Sequence, residues 1–220
     1  MTRDWTAWHA SYEDPTSSLS RRLEVVREQL RVALAERTAE RGTDGLRLVS
    51  MCAGDGRDSL SVLAAGYRQV DALLVELDEQ LSATARRTAA ELGLDRVEVC
   101  TADAGTTDAY RDWQPADVLL ACGVFGNVTD ADVRRTVAVL PMLLAAGALV
   151  IWTRGRHAHD VDPSDVDGDP SEHVRTLFSA AEFDEVEFVR PTDAGFRVGV
   201  HRFVGAPQDY AAGRPMFTFV

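Results

Sequence analysis

Apolar residues recur every three or four positions from Leu19 through Leu23, Val26 and Leu30 to Leu34, with arginines and glutamates between them. That period predicts an amphipathic helix laid on a core. Asp14-Pro15 reads as its start, with Asp as cap and Pro at the first helical position. The turn cluster Arg41-Gly42-Thr43-Asp44-Gly45 ends it. The pattern then changes to short apolar runs separated by helical stretches. The runs are Leu46–Met51, Val70–Glu76, Val97–Cys100, Asp117–Ala121 and Ala148–Trp152, and the helices fall near Arg57–Ala65, Glu79–Leu92 and Asp130–Ala145. Asp78 is positioned to cap the second of these and Gly93 to stop it, while Pro141 kinks or splits the third. Strands alternating with helices predict an α/β fold, a parallel sheet covered on both faces.

The end of the chain reads differently. A helix over Ser171–Ala181 leads into Glu185–Arg190, and Gly195–Val204 follows across the turn Pro-Thr-Asp-Ala-Gly. Two strands joined by so short a turn are antiparallel neighbours. The expectation is a three-layer Rossmann-like sheet of seven strands, mostly parallel, closed at one edge by a C-terminal hairpin. Residues 153–172 stand apart, with five aspartates, two histidines, two prolines and little to bury. A loop of that length in a compact domain is functional or disordered. The whole reads as a single domain, with an N-terminal helical lid over 1–44, a core over 45–204 and an apolar-ended tail over 205–220.

Composition narrows the function classes. The 220 residues are 45% hydrophobic and 26% charged, ordinary globular values. Acids exceed bases 35 to 23, a net charge of −12 that argues against a nucleic-acid partner, which needs a basic face. Every one of the 23 bases is arginine, which fits a GC-rich bacterial genome and excludes lysine chemistry. The N-terminus shows no signal peptide, and the longest apolar stretch, Leu140–Trp152, is too short for a membrane span and is broken by Gly147. Cys52, Cys100 and Cys122 lie far apart without metal or redox spacing and suit reduced thiols, small buried hydrophobes of a cytoplasmic protein.

The most informative stretch is Leu46 to Leu60, where a strand runs into Cys52-Ala53-Gly54-Asp55-Gly56-Arg57-Asp58 and a helix begins at once. Small residues let the backbone turn sharply against a ligand, and the helix start offers free N–H groups. The same turn alone would also suit simple strand-to-helix packing. Twenty residues past Gly56 the second strand ends in Glu76, where an acid accepts hydrogen bonds from ribose hydroxyls. Asp103 follows the third strand, placed to accept from an adenine amino group. A dinucleotide fingerprint needs glycine at 59, where Ser59 stands.

Over residues 46–204 these features resemble the class I S-adenosylmethionine-dependent methyltransferases. That family has a seven-stranded sheet with an antiparallel last strand, a glycine-rich loop after strand 1, an acid ending strand 2 and often an aspartate after strand 3. The resemblance implies S-adenosylmethionine as cofactor, held by Cys52, Ala53, Gly54, Gly56, Asp58, Glu76, Leu77, Asp103, Ala104 and Cys122. It implies methyl transfer to an oxygen, nitrogen or carbon of a small-molecule acceptor. The family's usual acid two residues before the first glycine is replaced here; Ser50 and Cys52 fill that stretch, and the usual link from that acid to the cofactor is lost.

Methyl transfer is an in-line displacement that needs positioning, exclusion of water and sometimes a base. The candidate bases are His9 and Tyr12 in the lid and His157 after the fifth strand. Trp5 and Trp8 line the lid or anchor a terminal helix. His157 and His159 with Asp160 and Asp162 allow a divalent metal, but the spacing matches no EF-hand loop, and a solvated acidic loop without metal is the expectation. Phe125 is placed to pack on adenine or acceptor and Asn127 to orient the acceptor; Arg57 is a candidate contact for the cofactor carboxylate or the acceptor. Two other function classes stay open: a cofactor-binding protein doing no methylation, and a nicotinamide-dependent oxidoreductase. The partners expected are a small-molecule acceptor and a possible second copy in a homodimer, with neither nucleic acid nor membrane.

Overall fold

The structure is a computed structural model; it describes residue 14 and residues 16–42, 44–155 and 168–220. The elements in chain order are α1 (Ser18–Arg41), β1 (Arg47–Met51), α2 (Leu60–Gly66), β2 (Asp71–Glu76), α3 (Glu79–Glu91), β3 (Val97–Thr101), β4 (Ala116–Ala121), α4 (Asp130–Val139), β5 (Leu144–Gly155), α5 (Pro170–Ala180), β6 (Phe183–Val189) and β7 (Phe196–Phe203). One seven-stranded sheet has the order β3-β2-β1-β4-β5-β7-β6. β1 to β5 pair in parallel, and β7 runs antiparallel between β5 and β6, so the expected hairpin closes one edge.

The continuous apolar runs of the parallel strands arise because both sheet faces are covered. On one face Val26, Leu30 and Leu34 of α1, Leu60 and Leu63 of α2, and Ala85 and Ala89 of α3 pack on Leu48, Leu74, Leu120 and Ile151. On the other, Val133 and Val137 of α4 and Val174 and Phe178 of α5 pack on Val49, Leu119, Val150 and Trp152.

Several boundaries move for local reasons. The cap of α1 is Ser17, whose hydroxyl accepts from the Ser20 N–H at 3.0 Å; Asp14 instead accepts from Thr16. Helix α2 starts at Leu60 rather than Arg57, because residues 57–59 still belong to the turn that closes the glycine loop. The stretch over 130–145 is helical only to Val139. Pro141 lies in a short 3-10 turn (Leu140–Met142), and β5 begins at Leu144. Asp78 caps α3 as expected, accepting from the N–H groups of Gln80 and Leu81.

Residues 204–220 return along the opposite direction, across the α4 side to the carboxyl end of the parallel strands. Gln208 N–H donates to Pro141 O, Thr107 N–H to Arg214 O and Met216 N–H to Gly105 O, and Thr106 forms an antiparallel bridge with Pro215. Met216 and Phe217 are buried in the core that this path completes.

His201 on β7 is buried between Trp152 and Phe178. It accepts from Trp152 Nε1 at Nδ1 (3.0 Å) and stacks on Phe178 at 4.5 Å. Burial pushes its pKa down to about 4; Glu185 opposes the shift and Arg175 adds to it. A histidine whose folded pKa lies below its unfolded value contributes stability above the unfolded pKa, and that contribution is lost as pH falls from about 6.5 towards 4. The amount is on the order of 3 kcal/mol. Urea unfolding at pH 7 and pH 4.5 is expected to show this loss in the wild type. It is expected to be largely absent in His201→Gln, which keeps an acceptor for Trp152; equal losses in both would contradict the assignment.

Candidate functional site

The sheet order reverses between β1 and β4, and in open α/β sheets ligands bind outside the carboxyl ends of the strands at such a switch. A cavity of about 510 Å³ opens there. Its wall is supplied by the β1 loop, the tips of β2, β3 and β4, the first turns of α1, and the tail.

The β1 loop turns through left-handed backbone at Cys52 (φ 51°), Gly54 (φ 59°) and Gly56 (φ 76°). The two glycines adopt it freely, whereas Cys52 bends the chain at a steric cost of about 1–2 kcal/mol. Glu76 fixes the loop from the neighbouring strand. Its Oε2 accepts from the Gly54 N–H and its Oε1 from the Asp78 N–H, both at 2.8 Å, and the residue still lines the cavity. One carboxylate therefore braces the glycine loop, opens the α3 turn and faces the ligand space.

Asp103, at the β3 tip, accepts from the Gly105 N–H through Oδ1 (2.7 Å) and lies on the cavity wall with Ala104. Asp55 and Arg57 pair within the loop (Nε to Oδ1, 2.8 Å), and Arg27 of α1 donates to the Arg57 carbonyl. At the β4 tip, Gly123 N–H donates to Thr153 Oγ1 (2.8 Å), holding Cys122 and Gly123 against the cavity.

Asp58 is the chemically distinctive group. Its Oδ1 is buried without a hydrogen-bond partner while the residue lines the cavity with Arg22 and Cys122. Burial pushes its pKa up to about 6; a hydrogen bond with Ser59 opposes this, Asp55 adds to it, and Arg22 opposes it. A carboxyl in that range changes protonation near neutral pH, the range in which a general base works. Burial holds the thiols of Cys52 and Cys122 well above the ordinary cysteine range, so both stay protonated.

Of the ten residues expected at the cofactor, Cys52, Ala53, Gly54, Asp58, Glu76, Leu77, Asp103, Ala104 and Cys122 line this cavity together. Gly56 does not. A Cβ there would meet Leu60 and Leu74 side chains at 2.7–2.9 Å, so Gly56 serves the packing of α2 on the sheet. Phe125 is fully buried beside Trp152 and Phe178 and does not line the cavity. Asn127 braces its own loop, donating from Nδ2 to Gly123 O at 2.6 Å. The three cysteines are free and half-buried, two of them in the cavity wall, where full burial was expected. The candidate bases His9, Tyr12 and His157 lie outside the described residues, as do Trp5, Trp8, His159, Asp160 and Asp162. Among the described residues, no cluster of three or more His, Cys, Asp or Glu side chains could hold a metal ion, and no helix is long and apolar enough to cross a membrane.

Sequence reasoning missed Arg22, Leu23 and Val26 of α1 and Phe217, Thr218 and Phe219 of the tail, all of which line the cavity. The α1 residues were readable as one face of an amphipathic helix, but nothing local says that its first turns overhang the strand tips.

Comparison with solved structures assigns the architecture. Magnesium protoporphyrin IX methyltransferase from Synechocystis PCC 6803, crystallised with S-adenosylmethionine bound, superposes with a TM-score of 0.63 at 13% identity, covering 91% of each chain. This is the class I methyltransferase fold. A possible exported protein from Bordetella parapertussis shares it (TM-score 0.63, 16% identity, 86% of this chain and 68% of that one). So does a methyltransferase-like protein from Escherichia coli (TM-score 0.55, 17% identity, 83% and 85%). No protein-family model matches the chain, and no curated protein is similar to it in sequence. Within the methyltransferase fold, the cavity sits at the topological switch and the antiparallel β7 closes the sheet beside β5.

Proposed function

We propose that this chain transfers the methyl group of S-adenosylmethionine to a small-molecule acceptor. The observation that carries the reading is Glu76, a carboxylate held by two backbone N–H groups at the tip of β2 and facing a cavity at the switch point of the sheet. The lining fits the cofactor. Glu76 suits a ribose diol and Asp103 an exocyclic amino group. The acids Asp55, Asp58, Glu76, Asp78 and Asp103 outnumber Arg22 and Arg57, which favours a cationic ligand. When bound, S-adenosylmethionine supplies an electrophilic methyl on positively charged sulfur.

The chain's own work is then positioning and proton control. Glu76 and Asp103 fix the adenosyl end, leaving Asp58, Arg22 and Cys122 around the other end of the cavity. The protonated thiols of Cys52 and Cys122 do not intercept the methyl group. Asp58 favours positive charge beside it once ionised, and it is the described carboxyl best suited to take a proton from an acceptor. The first turns of α1 supply part of the wall, which supports reading α1 as a portion of the same domain that covers the site. The net charge of −12 and the acidic lining favour a small acceptor over a nucleic acid, and the free cysteines favour a cytoplasmic setting.

Calorimetric titration with S-adenosylmethionine and S-adenosylhomocysteine, set against NADH and NADPH, tests the assignment. The Asp58 environment adds a sharper expectation. Between pH 5 and pH 7 its carboxyl ionises, so affinity for the cationic S-adenosylmethionine is expected to rise several-fold relative to S-adenosylhomocysteine, which lacks the sulfonium. In Asp58→Asn that ratio is expected to stay flat. A pH-independent ratio in the wild type would remove Asp58 from the charged end of the site.

A further inference from the structure

We infer that residues 216–220 are a strap that holds the heteroaromatic base of the adenosyl ligand, with Phe217 and Phe219 as its apolar wall. This rests on the cofactor assignment above and adds to it a segment that lies beyond the glycine loop and the strand tips.

The strap is tied at both ends to turns that flank the cavity. On the β3 side, Met216 N–H donates to Gly105 O at 2.7 Å. On the β4 side, Val220 N–H donates to Asn127 O at 3.1 Å. Between these ties, Phe217, Thr218 and Phe219 line the cavity. The approach to β3 is close enough that a Cβ at Gly105 would lie 2.3 Å from the Phe217 carbonyl oxygen; only glycine at 105 leaves room for the strap.

The chemistry around the strap suits a flat base. Asp103 and Ala104 adjoin Gly105 in the chain, so the Phe217 end lies beside the carboxylate suited to an exocyclic amino group. The Phe217 and Phe219 rings are 5.8 Å apart and inclined at 40°. Phe217 is buried, but Phe219 remains 42% exposed, and Leu77 in the same cavity wall is 67% exposed. Apolar side chains left to water in a concave site gain most when a planar apolar ligand covers them.

The test is calorimetric titration of wild type, Phe219→Ala and Phe219→Trp with S-adenosylhomocysteine and with 5′-methylthioadenosine, which has the adenosine but lacks the amino-acid part. Base-to-aromatic contacts removed by alanine predict that Phe219→Ala weakens both ligands by about tenfold. Phe219→Trp is expected to restore most of the affinity, and the ligand-free melting temperatures are expected to stay within about 2 °C, because a half-exposed ring contributes little to the core. Unchanged affinities in Phe219→Ala would overturn the strap's role while leaving the cofactor assignment intact. A loss confined to S-adenosylhomocysteine would also overturn it, by placing the ring at the amino-acid end. Failure of the wild type to bind either probe would overturn both inferences.

Discussion

Replacing Glu76 with alanine is expected to weaken S-adenosylhomocysteine binding by about a hundredfold, the loss of two charge-assisted hydrogen bonds. The effect is large because the side chain does two things at once. Its carboxylate is placed to receive the ribose hydroxyls, and it also accepts from the Gly54 and Asp78 N–H groups, so its removal unbraces the loop that shapes the cavity. Glu76→Gln keeps one acceptor oxygen and is expected to lose only about tenfold, the value of one such bond. Calorimetry on both variants, with circular dichroism to confirm folding, separates these outcomes. Wild-type affinity in Glu76→Ala would mean that the ligand does not approach the β2 tip.

The largest effect on stability is expected far from the cavity, at Asp117 near the start of β4. Asp117 is buried and accepts from Arg37 Nη2 at 3.0 Å, from Arg41, and from the Arg47 N–H at 3.0 Å. Arg37 is itself buried, with its Nε unpartnered. Asp117→Ala takes the buried carboxylate from that guanidinium, leaving it only the part-exposed Glu40 and the Ala146 carbonyl, and breaking a buried pair in this way costs about 3–5 kcal/mol. In a chain of this length that corresponds to a fall in melting temperature of roughly 10 °C. The double variant Asp117→Ala/Arg37→Met, which removes that buried charge, is expected to recover much of the loss. A melting temperature within 2 °C of wild type for Asp117→Ala would show that Glu40, the Ala146 carbonyl and solvent suffice for Arg37, and would contradict the weight given to Asp117.

What could be read from the sequence was governed by distance along the chain. The Asp78 cap is an interaction over two and three residues, and the apolar runs of β1, β2 and β4 report burial on both faces; all were legible. The Glu76–Gly54 link spans 22 residues, yet both partners stood at recognisable strand ends, so their proximity followed from the fold. The cap of α1 falls on Ser17 and not on Asp14 three residues earlier, because it is the Ser17 hydroxyl that reaches the Ser20 N–H. Phe125 and Gly56 fall outside the cavity wall for one reason: an aromatic or a glycine beside a strand tip has the same signature whether it faces ligand or core. The tail was not legible. Its partners Gly105, Thr107 and Asn127 are some 90 to 110 residues away, and no periodicity marks a segment without regular structure.

The central claim, an adenosyl-sulfur site at the switch point of the sheet, is tested most directly by thermal unfolding with S-adenosylmethionine, S-adenosylhomocysteine, NADH and NADPH added separately. A ligand present at a hundredfold excess over its dissociation constant stabilises by about 2.7 kcal/mol, or roughly 5–10 °C in a chain of this size. The account predicts that rise with the two adenosyl-sulfur compounds and none with the nicotinamides. A rise with NADH or NADPH, or none with any of the four, would contradict it.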